Sequence, residues 1–173
     1  VKALIPNPSK HGHDNYVVIT MHRREYFGVY QQDFCRAVSA LADKYKHIQF
    51  HFYLHPNPQA AEFIYHFDQC SNIVVHEPTD YREFVVVLDR AMFVITDSGG
   101  IQEESAYLGK PVVVFRACTE RMEGVEAGAA ILVGFSVSKL IDVCSKLITD
   151  KDFLHAKSVQ HNCYGHGDAA LQI

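Results

Sequence analysis

The residues best suited to chemistry lie in one segment, Met92 to Phe115, MFVITDSGGIQEESAYLGKPVVVF. An apolar run ends there in Asp97-Ser98-Gly99-Gly100, and a helical pattern follows. Two glycines let a ligand approach the backbone, and the amides that open a helix attract anions. Ser98 adds a hydroxyl. Glu103 and Glu104, within the first turn or so, place a carboxylate where sugar hydroxyls could donate to it. The group reads as a seat for a diphosphate with a ribose beside it, and so for a nucleotide. Taken alone, Ser-Gly-Gly reads more simply as a tight turn, with the glutamates complementing the helix dipole.

Four further clusters carry polar groups at the ends of apolar runs. Thr20-Met21-His22-Arg23-Arg24-Glu25 offers an imidazole that can act as acid, base or electrostatic partner. Arg23 and Arg24 are forked donors suited to phosphate or carboxylate. By itself, His-Arg-Arg-Glu fits a polar helix N-terminus with solvated charges. Tyr53-Leu54-His55-Pro56-Asn57-Pro58 places His55 just ahead of two prolines, which push the residues before them towards extended geometry. Phe84 stands near the start of a helix; its ring could hold a nucleobase, but the run Phe84 to Leu88 is apolar throughout and fits the core equally. Arg116 to Gly124 (RACTERMEG) collects Thr119, Glu120 and Arg121 after the next apolar run.

Metal ligation is not expected. His47, His51 and His55 are four apart, but four residues of strand span about 13 Å, so His51 and His55 cannot share one ion. His161, Cys163 and His166 have ligand-type side chains without a second cluster to complete four ligands, which favours a structural turn. No cofactor is expected.

These clusters need a frame that brings strand ends together. From Tyr16 onward, short apolar runs alternate with helical patterns. Strands are predicted at Tyr16–Met21, Ile48–Leu54, Asn72–His76, Met92–Thr96, Val112–Phe115 and Ala130–Val133. Helices are predicted at Val29–Tyr45, Gln59–Asp68, Arg82–Arg90, Ile101–Leu108, Ser136–Thr149 and Lys151–Val159. Strands that are apolar without alternation are covered on both faces. Right-handed crossovers then give an α/β, doubly wound, mostly parallel six-stranded sheet of Rossmann-like form, with ligands at the carboxyl ends of its strands.

Bulk properties narrow the function classes. A chain of 173 residues supports one well-buried core and is too short for two ordinary domains. Net charge is −4, which disfavours a broad nucleic-acid surface, and no apolar run approaches a membrane span. Five scattered cysteines, never spaced as CxxC, read as reduced thiols in a cytoplasmic protein. Residues 1–15 carry two prolines and two asparagines without periodicity and read as a linker whose upstream partner is missing. Residues 16–173 form the domain.

DSGGIQEE followed by LGKPV resembles the nucleotide-binding segment of the non-hydrolysing UDP-N-acetylglucosamine 2-epimerases. Four more motifs agree in order. T-x-HRRE is matched at Thr20–Glu25, with Tyr26 where asparagine or serine is usual. PVHxNP is matched at Tyr53–Pro58, with Tyr53-Leu54 for Pro-Val. R-x-x-TERPE is matched at Arg116–Glu123, with Met122 for proline, and NPYGDGxA at Asn162–Ala169, with Cys163 for proline and His166 for aspartate.

The resemblance covers only the C-terminal half of such an enzyme, which pairs two Rossmann-like domains in the glycosyltransferase-B arrangement. It implies binding of UDP and UDP-GlcNAc, with Ser98, Gly99, Gly100 and Glu104 on the nucleotide and Phe84 at the uracil. It also implies a catalytic role for His22, a sugar-phosphate cleft formed by Arg23, Arg24, Thr119, Glu120 and Arg121, and a regulatory contact at His55. The family reaction interconverts UDP-GlcNAc and UDP-ManNAc for polysaccharide biosynthesis, with acidic residues of the N-terminal domain moving the proton at C2. A chain lacking that domain should bind UDP weakly and turn nothing over; a homodimer is compatible with the resemblance. Two other readings stand beside it: the donor half of a UDP-sugar glycosyltransferase, and a stand-alone UDP-sugar-binding module.

Overall fold

The computed structural model describes residues 1, 3–5, 14–23, 28, 30–57 and 62–165. Arg24, Tyr26, Pro58, His166 and Asp168, which the motif readings include, lie outside the described residues. The elements run β1 (Tyr16–Thr20), α1 (Gln31–Lys44), β2 (Gln49–Tyr53), α2 (Glu62–Phe67), β3 (Ile73–His76), α3 (Tyr81–Arg90) and β4 (Val94–Thr96). They continue through α4 (Gly99–Leu108), β5 (Val112–Val114), α5 (Met122–Glu126), β6 (Ala130–Leu132), α6 (Val137–Thr149) and α7 (Lys151–Lys157).

The strands form one six-stranded sheet in the order β3-β2-β1-β4-β5-β6, with every pair parallel. The sequence makes this sheet because its central strands β1, β4 and β5 are apolar on both faces. Along β1, Val17 and Ile19 belong to a large cluster with Phe34, Val38, Leu140 and Cys144, while Val18 between them joins Leu88, Val94 and Leu108 on the opposite face. Burying both faces requires helices on both, which is the two-layered cover of a doubly wound sheet. Helices α1 and α6 pack together over one face, and α3 packs beside α4 over the other. Val1 and Ile5 pack against the second cluster.

Strand order reverses between β1 and β4. The chain builds outward from β1 to β3, then crosses back so that β4 lies on the other side of β1. Ligands of such sheets bind at the carboxyl end of this switch point. His22 leaves β1 there, and Asp97 leaves β4. Their strands are in register, Thr20 opposite Thr96, and the two threonine hydroxyls share a buried hydrogen bond of 2.7 Å.

The predicted elements are all present with shorter strands. Helix α4 starts at Gly99, two residues before the apolar periodicity begins. Ser98 is extended and its Oγ accepts from the Ile101 amide at 3.4 Å, so both glycines enter the first turn. Helix α5 was not among the expected elements. It is five residues long with Gly124 in its middle, a composition that reads as loop. A Cβ at Gly124 would overlap the Tyr164 hydroxyl, which donates to the Arg121 carbonyl at 3.3 Å. Tyr164 therefore closes over the loop that carries Thr119, Glu120 and Arg121. No helix among the described residues is long and apolar enough to cross a membrane.

Candidate functional site

A cleft of about 370 Å³ opens at the switch point. Thr20, His22, Tyr53, His55, Pro78, Tyr81, Phe84 and Ser98 are among its lining residues. Four strand ends contribute, which is why residues scattered along the chain share one wall.

At one end, Asp97 organises the segment after β1. Its carboxylate is fully buried. It accepts from the His22 amide at 3.1 Å to each oxygen, from the Arg23 amide at 2.9 Å, and it lies 2.6 Å from His22 Nδ1. A buried carboxylate is tolerable only with such a set of donors. Arg23 Nε donates to the Asp97 carbonyl at 3.2 Å, binding the two loops a second time.

The His22 and His55 rings stand 5.6 Å apart at 32°. The Asn57 amide donates to His55 Nδ1 at 3.1 Å. The imidazole that the sequence placed at the end of β2 thus faces the one at the end of β1.

The other end is aromatic. Tyr53 meets Phe84 edge-on at 5.2 Å and stacks on His76 at 4.5 Å. Phe84 is half-buried rather than sunk in the core, and it faces the cleft. Tyr81 donates to Glu104 at 3.1 Å. Burial pushes the Glu104 carboxyl above its ordinary value, with the Tyr81 bond acting in the opposite direction. Burial and the nearby Glu104 charge raise the Tyr81 hydroxyl.

Three arginines close the side next to α4. Glu120 receives Arg116 at 2.6 Å, Arg23 at 3.1 Å and Arg121 at 3.4 Å. The Arg116 hydrogen bond, with help from the backbone, holds the Glu120 carboxyl down at about 2. Arg121 also pairs with Glu103 at 2.8 Å, and its guanidinium lies flush against Gly99, where an added Cβ would come within 3.1 Å of it. Thr119 donates to Gln102 at 3.0 Å. The two glutamates after the glycine turn therefore differ: Glu103 faces the arginines and Glu104 the aromatic wall.

Among the described expected residues, His22, His55, Phe84 and Ser98 line one cleft, Glu104 touches it through Tyr81, and Arg23, Glu120 and Arg121 form one ionic cluster beside Gly99. Sequence reasoning missed Asp97 as a partner for His22, because the two are 75 positions apart. It also missed Arg116, Tyr53 and Tyr81 as parts of the site. Asp97 had a signal in its place at the end of an apolar run; Tyr53 and Tyr81 had only their types. His51 faces His76 at 2.8 Å across the neighbouring strand, and burial lowers the basicity of both. Among the described residues no group of three or more His, Cys, Asp or Glu is placed to hold a metal ion.

Comparison with known proteins agrees with the sheet. A family model described as UDP-N-acetylglucosamine 2-epimerase matches residues 3–173. The UDP-N-acetylglucosamine 2-epimerase of Yersinia pestis is 39% identical over 158 residues, which are 91% of this chain and 42% of that protein. Among solved structures, the UDP-GlcNAc 2-epimerase of Neisseria meningitidis bound to UDP-GlcNAc superposes with a TM-score of 0.87 at 33% identity, covering 99% of this chain and 46% of its own. S. aureus MnaA, in a co-structure with UDP, superposes with a TM-score of 0.85 at 34% identity, covering 92% and 44%. The chain spans less than half the length of each of these relatives.

Proposed function

The chain belongs to the UDP-N-acetylglucosamine 2-epimerase family, and we propose that it is the UDP-binding C-terminal half of such an enzyme. One observation carries this reading: a helix N-terminus made of Ser98, Gly99 and Gly100 opens between an aromatic wall and a set of arginines, in a cleft that ends at His22.

Each part has a role set by its chemistry. The first amides of a helix have no carbonyl in a preceding turn. Ser98 takes those of Ile101 and Gln102 through its hydroxyl and carbonyl. The amides of Gly99 and Gly100 then serve the diphosphate, and the absence of side chains lets its oxygens come close. Phe84 and Tyr53 hold the uracil, and Glu104 accepts from the ribose hydroxyls. Arg23, Arg116 and Arg121, gathered around Glu120, supply positive charge beside the phosphates; Arg24 and Thr119 complete the sugar side, and His55 supplies a regulatory contact.

In the reaction we assign to the whole enzyme, UDP leaves C1 of the sugar as the C2 proton is removed, giving a glycal-type intermediate. UDP then adds back to C1 as a proton returns to C2 on the opposite face, converting UDP-GlcNAc to UDP-ManNAc. Charge grows on the departing diphosphate, and donors already aimed at that position lower the barrier without reorganising. His22 is the group of this half nearest to direct catalysis. The carboxylates that move the C2 proton belong to the N-terminal domain, so the isolated chain binds UDP and is inactive. The setting is cytoplasmic and the product feeds polysaccharide biosynthesis.

The test is an assay of C2 inversion by NMR, on the chain joined to an N-terminal half and on the chain alone. UDP-ManNAc formed only by the joined protein is the expected result. Transfer of the sugar to an acceptor without inversion would overturn the epimerase reading in favour of a glycosyltransferase. Inversion by the isolated chain would overturn its inactivity.

A further inference from the structure

We propose that Asp97 is a positioning residue that fixes the tautomer of His22, keeping a proton on Nδ1 and turning Nε2 into the acceptor of the cleft. The proposal that His22 acts on the substrate rests on the epimerase reading above; the tautomer itself does not.

The geometry leaves one arrangement. Asp97 already accepts from two backbone amides, so its carboxylate is oriented before the imidazole meets it. A carboxylate and an unprotonated ring nitrogen 2.6 Å apart would be two acceptors in contact, so Nδ1 must carry the hydrogen. The neutral ring then has its lone pair at Nε2, on the far side from Asp97, in a ring that lines the cleft. His55 is set the other way. Its Nδ1 accepts the Asn57 amide, so its own hydrogen sits at Nε2. The cleft thus receives one imidazole acceptor and one imidazole donor, 5.6 Å between ring centres. A carboxylate that served only to join β1 to β4 would need the two backbone amides and not the ring.

Asp97→Asn inverts this logic. The amide oxygen has to stay with the His22 and Arg23 N–H groups, since an NH2 there would face two donors. The NH2 then points at His22 Nδ1 and forces it to accept, moving the hydrogen to Nε2. The experiment is two-bond ¹H–¹⁵N correlation NMR of the histidine-labelled chain near pH 8.5, with His22→Gln and His55→Gln used to assign the two rings. In the parent, His22 should show an N–H-type Nδ1 and a bare Nε2, and His55 the reverse. In Asp97→Asn, His22 should switch to the His55 pattern while His55 stays unchanged. A parent His22 protonated at Nε2 overturns the proposal on its own, even if the variant fails to fold. A folded Asp97→Asn with His22 unchanged overturns it too. In the joined two-domain enzyme, the variant should lose kcat by roughly 100-fold with little change in KM. A loss confined to KM would overturn the role of the tautomer in turnover and leave the NMR result standing.

Discussion

Gly100→Ala adds one methyl group to the second residue of α4, and the protein has room for it: the nearest neighbour of an added Cβ is Ser98 Oγ at 4.0 Å. The backbone there is helical, without a positive φ. Folding alone gives no reason for glycine at this position. Alanine narrows the unfolded ensemble and raises helix propensity, worth roughly 0.5 kcal/mol near a helix start. For a chain of this size that is a rise of about 1–2 °C in Tm. Binding should move the opposite way. If the Gly100 amide meets a phosphate oxygen, the methyl stands beside that contact and lengthens it, and a hydrogen bond to a charged group is worth about 1.5–3 kcal/mol. UDP affinity should then fall roughly 10- to 100-fold. Differential scanning calorimetry and UDP titration on the same sample measure both. A variant that is more stable and binds UDP as tightly as the parent would refute the close approach of the phosphate. A less stable variant would refute the helical assignment of Gly100.

Other expected outcomes follow from the same contacts. Gly109→Ala should cost about 1–3 kcal/mol, because φ is +69° and an added Cβ would come within 3.1 Å of the Gln160 backbone nitrogen; Gly134→Ala, with φ +67° and open space, should cost less, and equal losses in Tm would show that the Gln160 contact contributes nothing. The Glu120 carboxyl should titrate near 2 by ¹³C NMR. Since its folded value is depressed, its share of stability is complete above the ordinary carboxyl range and fades as pH falls towards 2; Arg116→Gln should return the midpoint towards the ordinary value. An unchanged midpoint would refute the Arg116 contact as its main cause.

The sheet was legible because its central strands are apolar on both faces; Val17, Val18 and Ile19 need cover on two sides whatever surrounds them. Element ends were less legible. Gly99 and Gly100 resist helix by propensity, and only the Ser98 cap brings them into α4. Helix α5 was invisible because Gly124 sits there to clear Tyr164, a contact 40 positions away. The cleft residues were readable by type and by motif. Their pairing was not: Asp97 with His22, Tyr81 with Glu104, and Arg23 with Glu120 depend on strand order, which periodicity does not carry. The residues alone left Glu103 and Glu104 equivalent; the resemblance pointed to Glu104, and the positions of Arg121 and Tyr81 show how the two carboxylates differ.

The central claim, a nucleotide site at the Ser98–Glu104 turn, is tested most directly by calorimetric titration of the 173-residue chain with UDP, beside Glu104→Ala. Weak one-to-one binding by the parent is expected, with at least a tenfold loss in the variant, the equivalent of one charge-assisted hydrogen bond of about 1.5 kcal/mol or more. No binding at millimolar UDP, or equal affinity in the two proteins, would contradict it.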